Sequence, residues 1–125
     1  MAISASVTSL SRNGMADWLL QRVSAVVLAV YMIGLMGYLV FANDISYDSW
    51  KALMGSLPMQ IINTVVMLSI VAHAWVGLWT VTTDYLTPTQ LGKAATCVRL
   101  AVQALMILSF LVLMIWAVAV IWGGF

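Results

Sequence analysis

Three long stretches without a charged residue divide the chain. They cover residues 23–43, 52–83 and 100–125. The hydrocarbon core of a bilayer is about 30 Å thick and a helix rises 1.5 Å per residue, so a span needs about 20 mostly apolar residues. Each stretch meets that length. The pattern therefore predicts an all-α membrane protein, one domain over residues 1–125, with three transmembrane helices at about 18–41, 58–83 and 100–122.

The ends of the first two helices are marked by polar and turn-forming residues. Helix I is predicted to begin near Asp17 and to end at about Phe41, before Asn43 and Asp44. The short loop that follows contains a capping signal, Ser46-Tyr47-Asp48, which predicts a brief surface helix. Helix II is predicted to run from about Pro58, which a first helical turn tolerates, to about Tyr85.

The third helix has a start signal of its own. Thr87-Pro88-Thr89-Gln90 fits a capping box, with Thr87 as the N-cap and Pro88 at the first helical position. Helix III is therefore predicted to begin at Pro88, outside the hydrocarbon, to enter it near Leu100 and to end at Gly123-Gly124.

The positive charges of the short flanks predict the orientation. Such charges are retained on the cytoplasmic side of a membrane. Four of them flank the start of helix I or connect helices II and III, whereas only Lys51 lies on the other side; the four are Arg12, Arg22, Lys93 and Arg99. The expected arrangement is N-terminus in and C-terminus out.

The composition agrees with a membrane protein and narrows the chemistry. Hydrophobic residues make up 64% of the chain and charged residues 7%, with a mean hydropathy of +1.07. An ordinary soluble domain has about 25% charged residues, so a soluble domain or a disordered tail is excluded. The net charge of +1 gives no basic patch for nucleic acid. One cysteine, Cys97, excludes an internal disulfide, and there is no CxxC metal motif.

The single histidine, His73, lies deep in predicted helix II. An ionisable residue inside a span is costly to desolvate and is a functional candidate for that reason. Helical periodicity aligns it with small or polar residues in one stripe, namely Ser69, Gly77, Thr80 and Asp84. Trp75 and Trp79 point to the opposite side, towards another helix or lipid. The structural alternative is a small-residue seam for helix packing.

Haem binding suits a lone buried histidine better than other chemistries. A proton path needs several titratable groups across the bilayer, and a zinc site needs further ligands in the chain. Haem iron needs only one or two axial ligands, and a neutral imidazole is a common one. Gly77, one turn away, would leave room for a flat macrocycle. The second ring nitrogen of a haem ligand needs an acceptor, such as a helix carbonyl one turn back.

Two further groups lie at the predicted cytoplasmic end. Asp84 and Tyr85 end helix II, about 17 Å from His73 along the axis. A phenol keeps its proton at neutral pH and would donate it to a carbonyl oxygen of a lipid-soluble substrate; an interfacial anchoring role explains the same residues. Arg22 would bind a carboxylate, such as a haem propionate, or simply extend to the interface.

Two motifs resemble the bacterial succinate dehydrogenase hydrophobic membrane anchor, the D-type subunit. The first is Arg12-Asn13-Gly14 with Asp17 and Arg22-Val23-Ser24-Ala25. The second is His73-Ala74-Trp75-Val76-Gly77-Leu78-Trp79, continued by Thr83-Asp84-Tyr85-Leu86 and Pro88. They occur in the family's order, and the resemblance covers nearly the whole chain.

The resemblance implies roles for the candidate residues. His73 matches the haem b axial ligand and metal-binding residue, whose opposite ligand comes from the C-type cytochrome b anchor subunit. Tyr85 matches the tyrosine that hydrogen-bonds ubiquinone, Asp84 its neighbour at that site, and Arg22 an arginine near the haem propionates. Ala16 stands where some relatives have histidine, so any propionate or proton role there is absent, and Thr80 stands where some have Gln.

The resemblance also implies an assembly. The chain would form a helical bundle with the C-type anchor in the bacterial inner membrane, and it would hold a flavoprotein and an iron–sulfur subunit at the cytoplasmic face. It would not oxidise succinate itself, having no catalytic residues for that step, but would contribute to the quinone site. The alternatives are a haem-free anchor of a fumarate reductase-like complex, a small transport subunit and a scaffold that only binds partners.

Overall fold

The computed structural model describes residues 14–123, which form helices joined by short turns. Three helices of 28 residues dominate: α1 (Gly14–Phe41), α3 (Leu57–Asp84) and α5 (Ala95–Trp122). Between α1 and α3 lies α2 (Tyr47–Gly55), and α4 (Pro88–Leu91) and a 3₁₀ turn (Gly92–Ala94) lead into α5. The described residues contain no strand.

The three long helices are each suited to cross a membrane by length and composition. At 1.5 Å per residue each is about 42 Å long, so its ends extend beyond a hydrocarbon core of about 30 Å. Most of their large apolar side chains are exposed within the chain. Such surfaces suit lipid or other membrane subunits, and the predicted all-α class with three transmembrane helices is confirmed.

The central helix of the bundle is α3. Both α1 and α5 pack along it, whereas α1 and α5 make no close backbone approach to each other. Accordingly, Val66 and Val76 of α3 are among the few buried apolar side chains of the described residues. The outer helices α1 and α5 are thus joined only through α3, and α2 covers one end of the bundle by contacting α3 and α5.

Polar side chains connect the helices at both ends of the bundle. At the end covered by α2, Tyr31 donates to Asn63 Oδ1 (2.7 Å) and the indole of Trp122 donates to Thr64 Oγ1 (3.1 Å). At the end near Tyr85, Gln103 Nε2 donates to Thr82 Oγ1 (3.1 Å). Helices in lipid gain little from hydrophobic association, so such bonds help to fix their contacts.

The predicted surface helix is present as α2. Ser46 is its N-cap and has extended backbone angles, and its hydroxyl accepts from the backbone N–H of Ser49 (3.1 Å). The Ser49 hydroxyl accepts in turn from the backbone N–H of Ser46 (3.0 Å), which completes a capping box. The helix therefore begins at the residue after the predicted capping serine.

The other helix ends differ from prediction in three places. Helix α1 already includes Gly14, the first described residue, so the helix extends at least three residues beyond its predicted start near Asp17. Thr87 is an N-cap by its backbone, but its side chain makes no capping bond, so the predicted capping box is wrong. Helix III is also not continuous from Pro88. Gly92 interrupts it with a φ of +59°, a backbone conformation that residues other than glycine rarely adopt.

Candidate functional site

His73 faces α1, where it meets two groups one turn apart. Its Nδ1 lies 3.3 Å from the backbone oxygen of Gln21 and 3.2 Å from the hydroxyl of Ser24. Because α1 and α3 run antiparallel, the eleventh residue of α1 lies beside a residue eleven positions before the end of α3. The imidazole is therefore held between two helices, well inside the apolar span.

The contacts of His73 favour one of its two neutral tautomers. A backbone oxygen only accepts hydrogen bonds, so Gln21 O favours the tautomer in which Nδ1 is protonated and donates. In that tautomer Nε2 has a free lone pair. Within residues 14–123 Nε2 has no hydrogen-bond partner, so it is available to a ligand. The acceptor on Nδ1 is thus on α1, the neighbouring helix.

The small-residue stripe on α3 partly faces α1 rather than pointing outward. A Cβ on Gly77 would lie 3.8 Å from Gln21 Nε2, so the glutamine side chain occupies the space beside this glycine. Gln21 Oε1 is buried and lacks a hydrogen-bond partner within the described residues. Ser69 and Thr80 donate to carbonyl oxygens of their own helix, those of Val65 and Val76. Gly77 thus packs beside the flexible end of the Gln21 side chain, and its role as room for a macrocycle stays a prediction.

Trp75 and Trp79 lie on the other side of α3, as expected. Their rings stack with centroids 5.5 Å apart, and Trp75 also meets Phe110 of α5 at 6.1 Å. The indole N–H groups of both are buried without partners among residues 14–123. The two faces of α3 are thus distinct, with an aromatic contact to α5 and a polar contact to α1.

Arg22 directly follows the residue whose carbonyl accepts from His73. Its guanidinium lies 5.6 Å from the centre of the Trp18 ring, a cation–π contact one helical turn away. The side chain is exposed. Arg22 therefore lies at about the same depth in the bundle as His73, and its side chain is accessible to an anionic group outside the described residues.

Asp84 and Tyr85 end α3 at the level where α1 begins. Tyr85 is the C-cap residue and is 62% exposed, and the Asp84 carboxylate accepts from the Thr83 hydroxyl (3.4 Å). Because His73 lies on the same helix about 18 Å away along its axis, the structure does not bring the two groups together. The side chains of Tyr85 and Asp84 remain accessible to a ligand or a neighbouring subunit.

A cavity of about 770 Å³ lies at the opposite end, and no sequence pattern predicted it. It opens between α1 and α5 over α3 and is covered by α2. Its lining is largely apolar and includes Leu35, Met67, Phe110 and Met114, with Tyr31 and Asn63 among its polar groups. The cavity arises from the packing of α1, α2 and α5 around α3, and a single sequence does not reveal this packing.

Comparison with known proteins places this arrangement in a family. Residues 2–113 match the family described as succinate dehydrogenase/fumarate reductase transmembrane subunit. The chain belongs to this family. It is also 36% identical over 112 residues to the succinate dehydrogenase hydrophobic membrane anchor subunit of Coxiella burnetii, a match that covers 90% of this chain and 91% of that protein. The chain is therefore a membrane anchor subunit of the succinate dehydrogenase/fumarate reductase type, as the two motifs predicted.

Family membership gives the described site a context. An anchor subunit has no need of a complete active site of its own, and residues 14–123 contain no group of three or more metal-ligating side chains. Any metal bound at His73 would therefore need ligands from beyond this part of the chain. Haem fits that condition because its macrocycle supplies four of the ligands to iron and a protein adds one or two.

Proposed function

We propose that this anchor binds haem b through Nε2 of His73, with the opposite axial ligand supplied by a C-type cytochrome b subunit. The observation that carries the proposal is the pair of contacts at Nδ1. The Gln21 carbonyl and the Ser24 hydroxyl hold the ring on its Nδ1 side, which leaves Nε2 as the free nitrogen. Metal-ligating histidines commonly have such an acceptor on the other ring nitrogen.

The surrounding residues suit a haem at the edge of this chain. Haem would supply one-electron redox chemistry. Nε2 of His73 would hold the haem iron, and Gln21 lies beside the neighbouring Gly77. Arg22 is exposed one residue from the Gln21 carbonyl, and its fork of N–H donors would bind a propionate bidentately.

We also propose that Tyr85 and Asp84 form part of a ubiquinone-reduction site at the cytoplasmic face. Tyr85 is exposed at the end of α3 and would donate its phenolic proton to one quinone carbonyl, which orients the ring and polarises that oxygen. Asp84, exposed beside it, would order water or a partner's cation for proton delivery. The positive flanks predict that this end of the bundle, the N-terminus included, lies in the cytoplasm.

The assembly follows from these sites. The chain would anchor an iron–sulfur subunit and a flavoprotein at the cytoplasmic face of the bacterial inner membrane, and it would pass no substrate through itself. Its exposed apolar faces would be covered by lipid and by the C-type subunit. Succinate oxidation would occur in the flavoprotein, and this chain would contribute to electron delivery only at the quinone.

The haem proposal is tested by reduced-minus-oxidised spectra of purified complex carrying His73→Tyr. We expect the b-type signal to be lost or shifted in this variant. A Tyr85→Phe complex, in which His73 is unchanged, is the control and should retain the wild-type spectrum. An unchanged haem spectrum in the His73 variant would refute ligation. Absence of haem even from the wild-type complex, with succinate–quinone activity present, would instead identify a haem-free anchor.

The quinone proposal is tested by the same Tyr85→Phe complex in steady-state kinetics. Loss of one hydrogen bond to the quinone carbonyl costs on the order of 1–3 kcal/mol, so the ratio kcat/KM for quinone should fall about 5-fold to 150-fold. Succinate oxidation with an artificial acceptor that takes electrons from the soluble subunits should be unchanged. Equal loss in both assays would indicate an assembly defect and not a quinone contact.

A further inference from the structure

Ser24 is the most deeply buried polar residue of α1, with 3% of its surface exposed. Its hydroxyl contacts two groups: it donates to the Gln21 backbone oxygen (3.1 Å) and lies 3.2 Å from His73 Nδ1. A serine that bonds the carbonyl three residues back is common in helices and needs no special role. The contact to a histidine on another helix gives this hydroxyl a second partner outside α1.

The number of protons in this cluster indicates the direction of the hydrogen bond between Ser24 and His73. A hydroxyl has one proton, and here it is directed at the Gln21 oxygen. The Ser24 oxygen therefore presents its lone pairs to His73. Both groups near Nδ1 then act as acceptors for the same N–H, one from the backbone and one from a side chain three residues further along α1.

We propose that Ser24 is a positioning residue for His73 that sets the plane of its ring and the donor strength of Nε2. The inference rests on the proposed haem ligation. A single acceptor would allow the imidazole to rotate about its last side-chain bond, whereas two acceptors on one helical turn define its orientation. Acceptors at Nδ1 also raise the basicity of the ligating nitrogen, which stabilises the oxidised iron of a bound haem.

The required comparison is between variants that keep and lose the hydroxyl at this position. Ser24→Ala removes the side-chain acceptor and leaves the Gln21 carbonyl in place. Ser24→Thr keeps the hydroxyl and adds one methyl group. Ser109→Ala is the matched control because it removes a hydroxyl from α5 next to Phe110, which contacts Trp75 and so lies near the depth of His73.

The experiment is a redox titration of the haem in the purified complex, with low-temperature electron paramagnetic resonance of the oxidised form. For Ser24→Ala we expect a higher midpoint potential and a changed largest g-value, because the oxidised iron loses stabilisation and the ring plane is less constrained. Ser24→Thr and Ser109→Ala should match the wild type in both. A merely structural serine would change haem content or thermal stability without moving either quantity.

Two outcomes would overturn the proposed role of Ser24. Both can be distinguished from an outcome that overturns haem ligation by His73. A Ser24→Ala complex whose potential and g-values equal those of the wild type would exclude a positioning role. The same would follow if Ser109→Ala shifted both quantities as much as Ser24→Ala. If His73→Tyr retains the wild-type haem spectrum, the ligand itself is misassigned and the proposed function fails first.

Discussion

The hydrogen bond between Gln103 of α5 and Thr82 of α3 should couple the two helices measurably. Thr82 is 1% exposed, and its hydroxyl accepts from Gln103 Nε2 (3.1 Å) while donating to the Trp79 backbone oxygen (2.8 Å). Thr82→Val keeps the shape of the side chain but removes the acceptor. The backbone oxygen of Trp79 keeps its ordinary helical hydrogen bond, so the substitution mainly deprives the Gln103 amide of its hydrogen-bond acceptor.

The expected size of the coupling follows from this geometry. Hydrogen bonds between membrane helices average about 0.6 kcal/mol and reach about 1.7 kcal/mol. Because Thr82 is fully enclosed, we expect a coupling of about 1 kcal/mol between positions 82 and 103. Thr82→Val alone should lower the free energy of unfolding by a similar amount, whereas Thr82→Ser should retain the bond.

A double-mutant cycle measures this coupling without assigning the whole effect of each variant to one contact. The four samples are the purified complex and its Thr82→Val, Gln103→Leu and doubly substituted forms, unfolded by a denaturing detergent in mixed micelles. The non-additive part of the change is the energy of the bond. A coupling within about 0.3–0.5 kcal/mol of zero, the scatter found for independent sites, would refute the reasoning.

Three further predictions concern the fold and its orientation. Gly92→Ala should lower the thermal stability of the complex, because the positive φ of Gly92 costs a residue with a Cβ on the order of 1–3 kcal/mol; an unchanged melting temperature would contradict this. Tyr31→Phe removes the donor to Asn63 and should destabilise the complex by about 0.6 kcal/mol, with Tyr38→Phe as the control, in the same detergent titration. Alkaline phosphatase fused after Phe125 should be active and the same enzyme fused before Met1 inactive, because the positive flanks predict the C-terminus outside; the reverse pattern would invert the proposed quinone face.

The long helices were predictable because charge is so expensive in hydrocarbon that its absence marks the spans. The interruption at Gly92 was not predicted, although a glycine inside a helical pattern is a known weak signal. The Thr87 prediction failed for a related reason. A capping box is a pattern of residue types, whereas the bond itself depends on a side-chain rotation that the pattern does not specify.

The ligand candidate was predictable, and its surroundings were not. His73 is conspicuous as the single histidine of an apolar span. Its partners lie 49 and 52 residues earlier in the chain, and helical periodicity gives the angle between side chains without saying which helix each side faces. One signal was present: Gln21 and Ser24 are polar residues three apart in the first turns of helix I, a pairing that would have suggested a polar contact on that side.

An experimental density map of the assembled complex at His73 would test haem ligation by this chain most directly. We expect a haem whose iron is bound to Nε2, with Nδ1 within hydrogen-bonding distance of the Gln21 carbonyl and the Ser24 hydroxyl. A map in which Nε2 bonds to a protein group, or in which the haem iron takes its ligands from other residues, would contradict it.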